Sequence, residues 1–369
     1  MIYVFVGNKL ISTDSIVPLL MELNKRNGTR SNIVVLDEKT YEGINSNVVL
    51  RDAIGTFGNI IYIRKRRIFS LLIFLGIYLH GFLGAKYIHF GLFNHGLLCR
   101  LWSIHIKNIY FSQSDSYKHN HLYYRKKIFN KAVKLIRPLG RNIIAFNDLM
   151  PELGVIDESK VNVYLFGETR TREIWMEYTK KYSTYYFEKY HQNLQYKNGY
   201  IVLILGPFCN LFWLKENDSS KQLFLKTLSV LKNNKQKHKV LIKPHVTTDL
   251  NIVRNAIGDS DQFEITYLHP SILAQYANCF IANLYSTTFA DAYNIGNKTI
   301  EFTHYNDDLL NETNGVSVSD QYVSHFINND VSALENVLLH ILENRNYNKI
   351  SITSVVDNDD TKLISSLCD

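Results

Sequence analysis

Short apolar runs of strand length alternate with helical segments along almost the whole chain, and this alternation limits the possible folds more than any other feature. Strands that alternate with helical patterns predict βαβ units and a parallel sheet covered by helices. Helical patterns cover residues 16–26 and 97–104, and a longer apolar one covers residues 68–84. The runs predicted as strands in the first half are residues 2–6, 32–36, 59–63, 86–90, 108–111, 142–146 and 161–166.

A second series of alternating runs follows a charged, tyrosine-rich stretch at residues 172–198. Its six alternations of strand and helix make it the clearer of two Rossmann-like patterns. At 369 residues the chain exceeds what one hydrophobic core usually supports, so two domains are expected. We expect an N-terminal Rossmann-like domain, a helical linker, a C-terminal Rossmann-like domain and a loosely attached tail, at residues 1–171, 172–198, 199–350 and 351–369.

The chain carries a formal charge of +7, with basic clusters at residues 64–67, 125–134 and 232–239. This balance suits an anionic partner such as a nucleotide or a phospholipid surface. Nucleic acid is the least favoured partner, because no helix-turn-helix, RNA-recognition or zinc-finger signature accompanies the charge. The four cysteines lack CxxC spacing, so the sequence predicts neither a disulfide framework nor a zinc site and fits a reducing cytoplasm.

The apolar segment at residues 68–84, IFSLLIFLGIYLHGFLG, directly follows the basic cluster at residues 64–67. It is slightly shorter than the ~20 residues that a membrane-spanning helix needs, and it contains His80 and three glycines. Three interpretations stay open: a core helix between two strands, an interfacial helix docked on a membrane, and a spanning helix. The first two are compatible with a cytoplasmic protein that rests on the inner face of a membrane.

Polar side chains follow two strand-like runs of the second half. Lys243 and His245 end the run at residues 239–243, whereas three hydroxyl residues, Ser286, Thr287 and Thr288, follow the run at residues 279–284. The hydroxyls could simply cap a helix, and the histidine could be structural. In an open α/β sheet, however, ligands bind beyond the carboxyl ends of the strands. A histidine and a hydroxyl cluster at that edge could therefore converge on one phosphate.

The stretch from residue 239 to 302, with KVLIKPH and then HPSILAQYANCFIANLYSTTFADAYNIGNKTIEF, resembles the donor domain of bacterial sialyltransferases. It is also similar to related capsule and Kdo transferases and to the polymerases that use CDP-glycerol. In these families a Lys-x-His-Pro segment and a Ser-Ser or Ser-Thr pair hold the phosphate of the cytidine nucleotide. Val246 stands here where the family usually has proline. By this resemblance the nucleotide-binding residues are Lys243, His245, Pro270, Ser271, Ser286, Thr287 and Thr288, with His245 also catalytic.

The resemblance implies a GT-B type α/β fold, in which two Rossmann-like domains face a central cleft. It also implies a catalytic base after a strand of the first domain, where the family has paired acids and a glycine. Asp115 is the single carboxylate in the corresponding segment, IYFSQSDSY, and a turn or helix-cap role is equally open for it. Asp148 and Glu152 are the reserve candidates. No Asp-x-Asp pair occurs in a convincing place, so no metal site or cofactor is expected.

Three polar residues, His89, Asn94 and His95, follow another strand-like run of the first half. We expect that they position the acceptor sugar if the sheet order is conventional. The alternative is a histidine-containing loop that binds no ligand.

The function implied by the resemblance is transfer of a sialic acid or related nonulosonate from a CMP-sugar donor to a glycan hydroxyl, with inversion. The acceptor would be a glycan or lipid-linked glycan in the synthesis of bacterial surface polysaccharide, such as O-antigen, capsule or lipooligosaccharide. A Kdo transferase and a CDP-glycerol glycerophosphotransferase are the alternative enzymes on the same fold. A non-catalytic scaffold at the membrane surface is the alternative from another class.

Overall fold

The structure is a computed structural model that divides into two compact units, which are described separately. The first contains seven strands and the C-terminal helix, and the second contains the strands from residue 200 onward. A helix at Glu173–Tyr190 begins in the first unit and continues in the second. The structure describes residues 1–7, 10–63, 68–91, 100–112, 139–146, 158–167, 169–192, 194, 199–211, 213–216, 218–233, 238–318, 320–343 and 360–368.

The first unit is built on a seven-stranded sheet in which every neighbouring pair of strands is parallel. The strand order is β3-β2-β1-β4-β5-β6-β7. The strands are β1 Ile2–Val6, β2 Ser31–Val35, β3 Ile60–Tyr62, β4 Lys86–His89, β5 Ile109–Ser112, β6 Asn142–Ala145 and β7 Asn162–Leu165. The described helices are α1 Leu10–Asn27, α2 Glu38–Ser46, α3 Val48–Phe57, α4 Ile68–His80 and α5 Glu173–Tyr190, with 3₁₀ turns at Gly81–Leu83, Ser103–Asn108 and Glu158–Lys160.

The central strand β1 is a continuous apolar run, as the sequence pattern predicted. All five of its residues are buried, as expected for a strand covered by helices on both faces of a parallel sheet. Helices α2 and α3 were not predicted. Their starts are fixed by side-chain caps, because Asp37 accepts the Thr40 N–H at 2.8 Å and Asn47 accepts the Leu50 N–H at 3.3 Å.

The end of the chain differs from the expected loose tail at residues 351–369. Residues 360–368 form a helix, α12 (Asp360–Cys368), that packs against β7 and belongs to the first unit. Leu363, Ile364 and Leu367 are buried, and the Tyr110 hydroxyl donates a 2.6 Å hydrogen bond to the Ser366 carbonyl. The expectation of loose attachment is therefore corrected for this helix, because its apolar face completes the core of the first unit.

The second unit contains a six-stranded parallel sheet with the order β10-β9-β8-β11-β12-β13. This is the Rossmann order, and its direction reverses between β8 and β11. The strands are β8 Tyr200–Ile204, β9 Val240–Lys243, β10 Phe263–Ile265, β11 Ala277–Ala282, β12 Lys298–Thr303 and β13 His325–Asn328. The helices are α6 Ser220–Asn233, α7 Leu250–Ile257, α8 Pro270–Leu273, α9 Phe289–Tyr293, α10 Asp307–Glu312 and α11 Val331–Glu343, with a 3₁₀ turn at Asp320–Tyr322.

Several helices of the second unit match the sequence pattern and two are shorter than predicted. Ser219 begins α6 in a capping box, because its hydroxyl accepts the Gln222 N–H and its own N–H donates to the Gln222 side chain. Helices expected at residues 270–278 and 286–294 shorten to α8 and α9, of four and five residues. The short α8 leaves residues from Ala277 onward free to join β11.

The apolar helix α4 follows β3 and precedes β4 in the chain, but it is not buried as a core helix would be. Ser70 and Ile77 are its buried residues, whereas most of its leucine, isoleucine and phenylalanine side chains are exposed. Within the described part of the chain, no helix combines the length and the apolar character needed to cross a membrane. The interpretation of this segment as a core helix is therefore wrong for α4.

Candidate functional site

The candidate site lies at the carboxyl edge of the second sheet, where the loops after β8, β9 and β11 begin. These strands are neighbours in the order β9-β8-β11, and the order in which the chain adds strands to the sheet reverses between β8 and β11. In open α/β sheets, such a switch point opens a crevice between neighbouring loops. Because two strand spacings of about 4.8 Å separate β9 from β11, their loops begin about 10 Å apart. A phosphate held between side chains from both loops fits this distance.

The loop after β9 holds His245 in a fixed backbone position. Thr248, which is buried, accepts the His245 N–H through its hydroxyl oxygen at 2.9 Å, and its own N–H donates to the His245 carbonyl at 2.9 Å. The same hydroxyl donates to the Gly206 carbonyl at 2.9 Å. Thr248 therefore ties the loop after β9 to the loop after β8. Sequence-based prediction missed it, since a threonine three residues after a histidine has no distinctive signal by itself.

The imidazole of His245 has one nitrogen engaged within its own loop. Nδ1 accepts the Thr247 N–H at 3.3 Å, and the Thr247 hydroxyl lies 2.7 Å from the same nitrogen. In the neutral ring the proton is therefore assigned to Nε2, which can donate to a ligand. Partial burial and then the positive charge of Lys243 lower the pKa of His245. The free site accordingly presents a neutral imidazole at pH 7.

The hydroxyl residues after β11 form a small cluster and do not cap a long helix. The Ser286 and Thr288 hydroxyls lie 2.7 Å apart, and Ser286 also accepts the Thr288 N–H at 3.3 Å. The Thr288 side chain makes no capping hydrogen bond to α9. Ser286, Thr287 and Thr288 are all partly exposed at the sheet edge. Because α9 has only five residues, the hydroxyl side chains are better suited to bind a ligand here than the N-terminus of this helix.

The buried side-chain amide of Asn283 fixes the start of this loop by hydrogen bonds. Asn283, the first residue after β11, donates to the Thr227 hydroxyl at 2.7 Å and to the Phe302 carbonyl at 3.2 Å. These bonds join the end of β11 to α6 and to β12, so they fix where the hydroxyl cluster starts. Sequence analysis did not single out Asn283, because both partners are distant in sequence.

Two residues expected to bind the nucleotide lie inside the protein. Pro270 is buried in the first turn of α8, and Ser271 is 5% exposed. The Ser271 hydroxyl donates to Asp291, which joins α8 to α9. This position favours a structural role for both residues. Lys243, in contrast, is partly exposed at the end of β9, where its ammonium donates to the Tyr267 carbonyl at 3.4 Å.

A buried carboxyl lies on β12, next to the candidate site. Glu301 is fully buried and accepts hydrogen bonds from Ser317 and from the Tyr305 hydroxyl, the latter at 2.5 Å. Burial raises the pKa of Glu301 to about 7, although the two donated hydrogen bonds oppose this change. Burial and then the charge of Glu301 raise the pKa of Tyr285 to about 12. The hydrogen bonds of Glu301 with Tyr305 and Ser317 anchor the segment after β12. Tyr285, which precedes the hydroxyl residues, packs against the apolar cluster that contains Tyr305.

His89, expected to bind the acceptor, is a buried structural residue at the end of β4. It has no exposed surface, its Nε2 donates to the Leu139 carbonyl at 3.0 Å, and its Nδ1 accepts the Gly91 N–H at 3.2 Å. Burial lowers the pKa of His89 to about 4, so the ring is neutral at pH 7. The prediction that His89 contacts an acceptor sugar is therefore wrong, since both ring nitrogens form hydrogen bonds with backbone groups of the first unit.

This environment predicts a pH-dependent stability. In the unfolded chain His89 takes up a proton near its ordinary pKa of 6.5, whereas in the folded protein it does so near 4. The folded state is therefore destabilised as pH falls between these values, by about 2 kcal/mol from pH 7 to pH 5. His89→Asn should be less stable than wild type at pH 7. Denaturant unfolding should show that the difference in free energy of unfolding between the two proteins is smaller at pH 5. A difference in free energy of unfolding that is the same at both pH values would contradict the lowered pKa of His89.

The other expected residues of the first half lie outside the described residues. They are the candidate acceptor ligands Asn94 and His95 and the candidate bases Asp115, Asp148 and Glu152. Their roles stay predictions. Among the residues that are described, no group of three or more histidine, cysteine, aspartate or glutamate side chains is placed to hold a metal ion.

Comparison with known proteins identifies the fold. No protein-family model and no curated protein matches the chain. UDP-GlcNAc 2-epimerase from Neisseria meningitidis, in a structure bound to UDP-GlcNAc, is 12% identical with a TM-score of 0.55, over 100% of both chains. A glycosyltransferase from Rickettsia africae is 12% identical with a TM-score of 0.51, over 100% of this chain and 93% of that chain.

A plant protein extends the comparison. UGT89C1 from Arabidopsis thaliana, complexed with UDP, is 10% identical with a TM-score of 0.53, over 100% of this chain and 99% of that chain. At such identities the likeness concerns the fold alone. The chain thus has the α/β fold with two parallel sheets that GT-B glycosyltransferases share.

Proposed function

We propose that this protein is a glycosyltransferase that binds the phosphate of a nucleotide-sugar donor at the carboxyl edge of the second sheet. The observation that carries the proposal is the placement of His245 and the hydroxyl residues on loops that flank the β8–β11 switch point. Structures of similar fold, from Neisseria meningitidis and Arabidopsis thaliana, contain UDP-GlcNAc and UDP. A nucleotide-sugar partner is consistent with both lines of support.

The chemistry of the site suits stabilisation of a phosphate leaving group. As the bond between sugar and phosphate breaks, negative charge grows on the phosphate oxygens. His245 donates through Nε2, and the hydroxyls of Ser286, Thr287 and Thr288 supply further donors. Lys243 adds a positive charge at the end of β9, two residues before His245. Each of these groups stabilises the developing charge more strongly than the ground state, which accelerates the chemical step.

The donor we propose is a CMP-activated acid sugar, namely a sialic acid or a related nonulosonate. The support is the resemblance of residues 239–302 to the donor domain of bacterial sialyltransferases. Transfer to a hydroxyl of a surface glycan would proceed with inversion, with Asp115 as the base and Asp148 or Glu152 as the alternatives. Kdo transfer and glycerol-phosphate transfer from CDP-glycerol use a cytidine nucleotide as well, so they are the alternative reactions.

CMP should therefore stabilise the protein against thermal unfolding more than UMP or GMP at equal concentration. A ligand at about a hundredfold excess over its Kd adds ~2.7 kcal/mol to the free energy of unfolding. The double variant Ser286→Ala/Thr287→Ala should lose most of the CMP effect, since it removes two of the proposed phosphate donors. Ser260→Ala, in the exposed turn before β10, is the matched control at the opposite edge of the same sheet.

Two results of this experiment, and one result of a separate assay with UDP-GlcNAc, would change the proposal. Equal shifts with all three nucleotides would exclude the cytidine assignment and leave the phosphate site intact. An unchanged CMP shift in the double variant would exclude the hydroxyl residues as ligands. Epimerisation of UDP-GlcNAc without any acceptor would replace transfer by the reaction of the Neisseria meningitidis protein, because fold alone does not determine the reaction.

A further inference from the structure

The outward face of α4 is apolar, which is unusual for a surface helix. Its exposed side chains include Ile68, Phe69 and Leu72, which are 79%, 78% and 57% exposed, while Ser70 and Ile77 face inward. A surface helix of a globular protein normally presents charged and polar residues to water. The outward face of α4 therefore lacks the composition of a surface that stays in contact with water alone.

The apolar surface continues beyond α4 onto the neighbouring 3₁₀ turns and onto Leu101, which precedes the second of them. Phe82 and Leu83 are 59% and 85% exposed, and Leu101 and Ile104 are 48% and 62% exposed. Of the 20 large hydrophobic residues that are exposed in the described part of the chain, 11 lie between residues 68 and 104. Exposed apolar residues of ordinary monomers are scattered, so this concentration indicates an interaction surface. We call the exposed apolar residues from 68 to 104 the α4 face.

The α4 face rests on a packed aromatic core. Trp102 is fully buried and contacts Tyr78 and Tyr87 edge to face, with ring centroids 5.5 and 4.5 Å apart. The His105 ring packs so closely on Gly81 that a Cβ there would lie 2.6 Å from it. The 3₁₀ turns are thus held beside α4 by close contacts. The inner side of α4 and the turns is therefore held in place by packing, while the α4 face remains exposed to solvent.

The sequence that contains the α4 face carries charge of a single sign. Residues 53–114 contain seven lysine and arginine residues and no aspartate or glutamate. Arg100 and Lys107 are exposed next to Leu101 and Ile104. Four more cations, at residues 64–67, directly precede α4 in sequence and lie outside the described residues. An apolar face with exposed basic residues, in a stretch of sequence that has no acidic residue, is complementary to a membrane that contains anionic lipid.

The length of α4 argues against a membrane-spanning helix, and its charge argues against a dimer formed through the α4 face. With 13 residues, α4 is about 20 Å long, shorter than the ~30 Å hydrocarbon core of a bilayer, so it cannot span one. A second copy of the chain would place the α4 face against itself, because a two-fold dimer uses the same surface on both subunits. Such a contact would bring basic residues together with no acidic partner from residues 53–114, which is unfavourable.

We propose that the α4 face docks this protein on an anionic membrane, with α4 lying in the plane of the interface. Its apolar side chains enter the boundary between headgroups and acyl chains, and the exposed cations Arg100 and Lys107 contact lipid phosphates. This inference does not depend on the proposed transferase activity.

Vesicle co-sedimentation of the full-length protein tests this docking surface. Vesicles of phosphatidylcholine with one quarter phosphatidylglycerol should bind the protein, and pure phosphatidylcholine should bind it at least about tenfold less. Raising NaCl from about 0.1 M to about 1 M shortens the Debye length from about 10 to 3 Å and should weaken binding. Arg100→Gln and Lys107→Gln, which remove exposed cations beside the α4 face, should each reduce binding by about fivefold.

A matched pair of variants separates the α4 face from apolar surface in general. Leu72→Glu/Leu75→Glu places charges on the face and should reduce binding more than about tenfold. Leu225→Glu/Leu339→Glu changes two leucines of similar exposure on α6 and α11, 42% and 41% exposed, and should bind as wild type. Circular dichroism and thermal melting of each variant establish that it is folded.

Sedimentation velocity without lipid tests the competing occupant. A monomeric wild-type protein is expected. A dimer that Leu72→Glu/Leu75→Glu dissociates would overturn the proposal in favour of a contact between copies. Wild-type binding that is equal on both vesicle types and insensitive to salt would overturn it as well, and this result needs no variant.

Discussion

Replacing His245 with alanine is expected to lower the rate of sugar transfer about a hundredfold or more and to weaken nucleotide binding at the same time. The imidazole is proposed to donate to the phosphate in the bound complex and in the transition state, and loss of one such donor commonly costs this much in rate. The measurement is kcat and KM for transfer, together with the Kd of CMP from calorimetry. Both kcat and affinity should fall.

His325→Ala is the matched control for this variant. His325 is a partly buried histidine on the same sheet, and burial followed by the charges of Lys298 and His340 lowers its pKa. It begins β13, so it lies at the amino edge, opposite the proposed site. Transfer and CMP binding should be unchanged in this variant. If His245→Ala affects kcat and the CMP Kd no more than His325→Ala does, His245 does not contact the phosphate.

The pH dependence of CMP binding gives an independent test of the same contact. The pKa of His245 is lowered in the free protein, and a bound phosphate dianion would raise it because it favours the imidazolium. Affinity contributed by His245 should therefore increase as pH falls from the bound-state pKa to the free-state pKa. Protonation of CMP itself, near pH 6, acts in the opposite direction. The difference between wild type and His245→Ala isolates the contribution of the histidine.

The two sheets could be predicted from sequence because their central strands are continuous apolar runs. Both β1 and β8 are buried along their whole length, and strands covered on two faces show this pattern. The short helix α9 could not be predicted as such. The hydroxyls of Ser286 and Thr288 bond to each other, and sequence does not distinguish this arrangement from the capping of a longer helix.

The local environment of single residues was the least predictable feature of the candidate site. The burial of His89 depends on Leu139, 50 residues further along the chain, and the support of the hydroxyl loop depends on contacts of Asn283 with α6 and β12. Such contacts are set by the packing of whole elements and leave no mark in a short motif. The segment at residues 68–84 was similarly ambiguous, because a core helix, an interfacial helix and a spanning helix can share one apolar composition.

Replacing Asp115 with asparagine is expected to reduce transfer by about 10² to 10⁴-fold while the CMP affinity stays nearly unchanged. Asparagine keeps the shape and most hydrogen bonds of the side chain, but it cannot take the proton of the acceptor hydroxyl. A base acts only in the chemical step, so the loss should appear in kcat with the CMP Kd preserved. Kinetics with a CMP-sugar and a glycan acceptor, combined with calorimetry, measure the two quantities separately.

The contrast between the two catalytic variants identifies the step that each residue serves. His245→Ala should change kcat and the CMP Kd together, whereas Asp115→Asn should change kcat alone. Asp259→Asn, in the exposed turn after α7, is the control for an aspartate change without a catalytic role. If Asp115→Asn keeps near-full transfer, Asp115 is not the base, and the same experiment applies to Asp148 and Glu152. Full activity in all three variants would exclude a carboxylate base from these segments and with it the proposed acceptor activation.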